Sequence, residues 1–145
     1  MRRDRSDVRL EWATPEVRQD VAGLEVELRA LVIAWLERAR RTADVTEACA
    51  DRPGQPLEGC RKLRFDVGDE PLVASGARRS GHPRWRVVVE YLDHHDGSAR
   101  LLVWAVGRGH PSERERVPDV YTLAGRRRTR RLASDDGYRR EVGRG

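Results

Sequence analysis

Apolar and polar residues alternate over Val8-Arg9-Leu10-Glu11-Trp12, the period-two pattern of a strand with one buried face. Thr14-Pro15-Glu16 follows, a capping hydroxyl with proline at the first helical position. From there Val17, Val21, Leu24, Leu28, Leu31 and Trp35 recur at spacings of four and three, which lays one apolar stripe along a helix. Gly23 interrupts the stripe and leaves one helix or two open. The pattern fades after Ala39 into Arg40 and Arg41.

Residues 50–59 carry two prolines and two glycines and read as a loop. A strand is expected over Cys60–Val67, then an exposed excursion over Gly68–Pro83. Arg84–Leu92 is the clearest strand: Trp85, Val87, Val89 and Tyr91 make one face, Arg86, Val88 and Glu90 the other. Asp93–Ser98 contains an Asp-Gly pair and predicts a hairpin turn. Arg100–Val106 is nearly all apolar, as suits a central strand covered on both faces, and Gly107 ends it. Arg108–Pro118 reads as a loop and Asp119-Val120-Tyr121 as a short strand or turn. The arginine-rich stretch from Thr122 onward is expected to fray.

This order predicts a small α+β domain over residues 8–131, with one or two N-terminal helices packed on one face of a mainly antiparallel sheet. Residues 1–7 and 132–145 are expected to be flexible ends. At 145 residues the chain suits one modest core.

Charge narrows the function. A net charge of +5 and an isoelectric point near 10.0 favour an anionic partner: RNA, DNA or an acidic protein segment. No apolar run approaches the roughly 18 residues of a membrane span, and residues 1–7 are too charged for a signal peptide. Cys49 and Cys60 lack zinc-site spacing and are too few for a disulfide scaffold, so reduced thiols in a cytoplasmic protein are expected. The four histidines fall in predicted loops with no metal-ligand spacing, and no cofactor is expected.

One residue stands apart. Lys62 is the only lysine among 29 Lys+Arg residues. Arginine stays protonated, whereas lysine can give up its proton where cations crowd it. On a strand Lys62 and Arg64 share a face, with Leu63 and Phe65 packed beneath. A solitary surface lysine in an arginine-biased chain is the plainer reading.

Residues 60–128 resemble the RelE/ParE superfamily of bacterial toxins. The resemblance rests on Cys60-Arg61-Lys62-Leu63-Arg64, Trp85-Arg86-Val87-Val88-Val89-Glu90-Tyr91, Ala105-Val106-Gly107-Arg108, and Asp119-Val120-Tyr121 with Ala124, in that order. It implies a toxin paired with a cognate antitoxin protein. RelE-type members are ribosome-dependent endoribonucleases that cut mRNA and halt translation; ParE-type members inhibit DNA gyrase without nuclease chemistry. The RelE-type pattern is matched by Lys62, Arg64, Arg86, Arg108 and Tyr121, which favours the mRNA interferase branch. Insertions over 66–84 and 108–121 depart from the family, and the second leaves Arg114 or Arg116 as alternatives to Arg108. Glu58 and His110 are weaker counterparts of the base and acid found in some relatives.

The implied chemistry is metal-independent attack of a 2′-hydroxyl on the adjacent phosphate. Lys62 would take the proton and Arg86 would grip the phosphate. Arg64 and Arg108 would add positive charge, and Tyr121 would stack on or orient a base. Taken singly, Arg86 could instead be a strand arginine paired with Glu90 or Asp66, and Tyr121 a core aromatic. Residues 126–131 could dock on ribosomal RNA or an acidic antitoxin, or form a solvated tail. A gyrase inhibitor and a non-catalytic binding module are the alternative functions.

Overall fold

The computed structural model describes residues 8–49, 55–66, 84–93, 98–109 and 119–144. Among them the chain runs β1 (Arg9–Trp12), α1 (Pro15–Ala22), α2 (Val26–Arg41), a 3-10 turn (Ala43–Val45), β2 (Glu47–Ala48), β3 (Arg61–Phe65), β4 (Trp85–Asp93), β5 (Ala99–Arg108), α3 (Val120–Ser134) and α4 (Asp136–Arg144). The fold is α+β. The five strands form one mixed sheet in the order β1-β5-β4-β3-β2, with β1 parallel to β5 and the other three pairings antiparallel.

Gly23 does divide the long stripe: α1 ends before it, α2 begins after it, and its amide closes α1 on the Gln19 carbonyl at 3.0 Å. Val17 and Val21 from α1, and Leu28, Val32, Trp35, Leu36 and Ala39 from α2, enter one core with Leu63, Phe65, Val87, Val89, Leu101 and Val103. Those strand residues occupy alternate positions, so they line a single face. Trp35 stacks on Phe65 with centroids 5.6 Å apart, and the Tyr91 hydroxyl donates to the Ala39 carbonyl at 2.6 Å.

The other face is covered as well, which corrects the expectation of helices on one side. Val88, Leu92, Leu102, Trp104 and Ala105 meet Val120 and Ala124 of α3 and Tyr138 of α4 in a second core. β5 therefore is central and buried on both sides, as its apolar run predicts. It also runs past Gly107 to Arg108. It carries a bulge: Val88 faces Ala105 while Val89 faces Val103, leaving Trp104 as the extra residue. Trp104 and Ala105 consequently both join the second core.

The arginine-rich segment does not fray. Asp119-Val120-Tyr121 is the start of α3, where the Asp119 carboxylate accepts from the Thr122 amide at 2.8 Å. Residues 132–144, expected to be a flexible tail, finish α3 and form α4, with Tyr138 only 1% exposed. The physical reason is that arginine here does the work of tethering. Arg127 donates to the Trp104 carbonyl at 3.1 Å and to Asp20 at 2.6 Å; Arg131 donates to the Ala13 carbonyl at 2.8 Å. Arg130 pairs with Glu16. The first and third of these satisfy carbonyls at the end of β1 and along β5 that would otherwise be costly to bury.

Arg128 is the deepest tether. Its guanidinium donates to both Glu90 oxygens at 3.2 and 3.0 Å and to the Pro56 carbonyl at 3.0 Å. The Tyr138 hydroxyl and the Trp104 indole N–H also donate to Glu90, at 2.5 and 3.1 Å. Burial works against the charge on Arg128, but Glu90 outweighs it and pushes the guanidinium above its ordinary range. This pair, under 6% exposed on either side chain, is fully hydrogen-bonded where an isolated charge would be prohibitive. Glu90 and Asp66, considered as partners for Arg86, instead receive Arg128 and Arg84. The end expected to be flexible at 1–7 and the excursion expected over 68–83 lie outside the described residues, as do residues 94–97 of the hairpin turn expected over 93–98 and residues 110–118 of the loop expected over 108–118.

Candidate functional site

Antiparallel register places the cationic residues. Lys62 opposes Val88 and Arg64 opposes Arg86. Directly opposed side chains project from the same face, and Val88 belongs to the second core. Lys62, Arg64 and Arg86 therefore stand together on the face covered by α3 and α4, while Leu63 and Phe65 anchor β3 from the other side.

The first turn of α3 brings the aromatic to them. Gly107 faces Arg86 in the ladder, and a Cβ placed there would lie 3.5 Å from Val120 Cβ. Val120, buried in the second core, packs against β5 at this point and carries Tyr121 over β4 and β3. Arg86 Nε donates to the Tyr121 hydroxyl at 3.1 Å, and Arg86 Nη1 donates to the Trp85 carbonyl at 3.1 Å. Lys62 Nζ sits 5.5 Å from the centroid of the same ring, within cation–π range. Gly109 adds a close approach: a Cβ there would fall 3.1–3.2 Å from Arg86 Nε, Cγ and Cζ. Glycine thus makes room for the guanidinium.

Arg64 adds a third cation, held by Glu47 at 3.6 Å from the edge strand β2. β2 and Glu47 were not anticipated from sequence. A two-residue strand between breakers has no periodicity to detect, although its acidic residue opposes Lys62 directly. All five side chains, Lys62, Arg64, Arg86, Tyr121 and Glu47, are partly exposed.

Arg108 is the exception among the expected site residues. It opposes Trp85, and its guanidinium lies 5.9 Å from the Trp85 ring centroid. Trp85 packs against the first core, so Arg108 stands on the opposite face from Arg86. Sequence spacing alone hid this because the bulge at Trp104 changes which residues of β5 share a face. Glu58 is exposed in a turn before β3, and His110, Arg114 and Arg116 lie outside the described residues. Among the described residues, no three His, Cys, Asp or Glu side chains gather as a metal site, and no helix is long and apolar enough to cross a membrane.

The site is thus a cationic, partly exposed face with one lysine, two arginines and a tyrosine. No protein-family model, curated protein or solved structure matches the chain.

Proposed function

We propose that this chain is an mRNA endoribonuclease of the RelE type, a toxin that acts on ribosome-bound message and is restrained by a cognate antitoxin. The observation that carries the proposal is the meeting of Lys62 and Arg86 on one ring, Tyr121. Two cations on neighbouring strands and an aromatic on a helix suit a phosphate beside an unstacked base. The ribosome, the antitoxin and the cytoplasmic setting rest on the sequence resemblance.

In the reaction, the 2′-oxygen of the substrate attacks the adjacent phosphorus and the bond to the 5′-oxygen breaks. The products are a 2′,3′-cyclic phosphate and a 5′-hydroxyl. Lys62, as the general base, accepts the 2′-hydroxyl proton. Arg86 holds the phosphate; its bonds to Tyr121 and the Trp85 carbonyl fix the plane of the guanidinium, so little reorganisation is needed as charge builds. Arg64 stabilises the leaving 5′-oxygen until water protonates it. Tyr121 positions both cations, in addition to the base-stacking role expected for it. Arg108 drops out of this scheme, and the late-arginine role falls to Arg114 or Arg116.

Induced expression followed by separate measurement of protein and DNA synthesis tests the proposal. Rapid translation arrest with mRNA cut within codons supports it, and Lys62→Ala should remove both effects. Intact mRNA with stalled replication points to the gyrase-inhibitor alternative, in which Lys62 has no task. Neither effect points to a non-catalytic binding module.

A further inference from the structure

Cys49 and Cys60 are the two cysteines of the chain, and strand register makes them neighbours. β2 pairs with β3 as Glu47 opposite Lys62 and Ala48 opposite Arg61. One more step along this ladder sets Cys49 opposite Cys60, and the Cys49 amide donates to the Cys60 carbonyl at 3.1 Å. Opposed residues share a face, and both cysteines pack in the second core, Cys60 buried and Cys49 half-buried at its rim. The Cys60 amide turns to the Leu57 carbonyl at 2.9 Å, so a single bond closes the ladder here; directly opposed residues have Cα atoms about 4.5–5.5 Å apart, inside the roughly 4.4–6.8 Å range of disulfides.

We propose that Cys49 and Cys60 form a redox pair that a hydroperoxide converts into a cross-strand disulfide, fastening β2 to β3 beside Lys62. Cys49 is the more exposed and meets the oxidant. Its thiolate sulfur bonds one peroxide oxygen, the O–O bond breaks, and the departing oxygen leaves as water after taking a proton. The sulfenic acid so formed is attacked by the Cys60 sulfur, which has given up its proton; the S–S bond forms, the S–O bond breaks, and a second water leaves. Two thiols and one hydrogen peroxide yield one disulfide and two waters, with sulfur oxidised and peroxide reduced by two electrons.

Two features make this pair switchable instead of permanently bridged. The Cβ atoms of opposed, hydrogen-bonded residues sit about 5 Å apart, wider than the roughly 3.8 Å of a relaxed disulfide, so closure strains the bond and eases its reduction. The half-buried Cys49 sulfur also stands at the rim of the second core, where a reductant can reach it. The bridge has a consequence for the neighbouring face: it holds β2, and with it the Glu47 carboxylate, against Arg64. The pair stands on register and burial and does not depend on the nuclease reading.

The test treats the purified full chain with hydrogen peroxide, blocks remaining thiols with an alkylating reagent, and maps the products by mass spectrometry. Thiols should fall from two to none, the mass should drop by two hydrogens, and a proteolytic fragment should join residues 49 and 60. Dithiothreitol should restore both thiols. In Cys49→Ser, whose fold is checked by circular dichroism, Cys60 should stay reduced under the same exposure. Survival of both thiols, added oxygen in place of a bridge, or disulfides only between chains would overturn the pair. Oxidation of Cys60 in the variant at the wild-type rate of thiol loss would overturn the assigned order.

Discussion

Arg86 and Tyr121 are 35 residues apart in the chain, yet the Arg86 Nε donates to the Tyr121 hydroxyl at 3.1 Å. This bond joins the middle of the sheet to the first turn of α3. Lys62 adds a second strand-borne group to the same ring. The candidate site therefore exists only because α3 is docked, and α3 is docked by its arginines.

Gly109 should be the most sensitive position outside the cation cluster. An alanine methyl there would press on the Arg86 side chain at 3.1–3.2 Å, a crowding that the flexible arginine relieves by moving. We expect Gly109→Ala to fold with a melting temperature close to wild type but to cut RNA on the order of tenfold more slowly, through misplacement of the guanidinium. Equal cleavage rates would show that the position of Arg86 is not critical.

Lys62 and Tyr121 can be separated into charge, proton transfer and geometry. Lys62→Arg keeps a cation over the ring but cannot accept a proton, so cleavage should fall about a hundredfold while ribosome binding holds. Tyr121→Phe keeps the ring and removes the acceptor for Arg86, at a cost of about tenfold in rate. Tyr121→Ala removes both and should approach the Lys62→Ala level. Single-turnover cleavage assays read all four variants.

The buried pair should dominate stability. Arg128→Met leaves the Glu90 carboxylate buried with only Tyr138 and Trp104 as donors, which should cost about 3–5 kcal/mol in urea unfolding. Replacing Glu90 by leucine in the same chain should recover much of that loss. A cost below about 1 kcal/mol for Arg128→Met would mean that the pair is wet in solution.

Alkaline pH should weaken the fold through Tyr138. Burial, together with the Glu90 charge it donates to, raises its phenol above the ordinary value of 10.0. The unfolded chain then loses this proton first, so the stabilisation is complete below about pH 10 and declines as pH rises beyond it. Tyr138→Phe should be less stable at pH 7 yet show a shallower decline above pH 10. Identical slopes in the two proteins would place the titration elsewhere.

Much of this arrangement was legible in the chain. β1, β4 and β5 follow from alternation and apolar runs, and the break at Gly23 from a glycine in an otherwise continuous stripe. The shared face of Lys62 and Arg86 follows from strand periodicity once β3 and β4 pair. The C-terminal helices were illegible for a definite reason. Val120, Ala124, Arg127, Arg128 and Arg131 do keep helical spacing, but three of the five are arginines, which ordinarily mark solvent. Their partners, the Trp104 and Ala13 carbonyls and Glu90, lie far away in sequence. Arg108 failed for a different reason: no local signal marks the bulge that turns it away.

The most direct test is cleavage of a defined mRNA by the purified protein on purified ribosomes, with the new ends sequenced and their chemistry determined. We predict cuts within the ribosome-bound codon bearing 2′,3′-cyclic phosphate and 5′-hydroxyl ends, abolished by Lys62→Ala and by Arg86→Ala. Uncut message, or equal cutting by the wild type and both variants, would contradict the assignment of RNA cleavage to this face of the sheet.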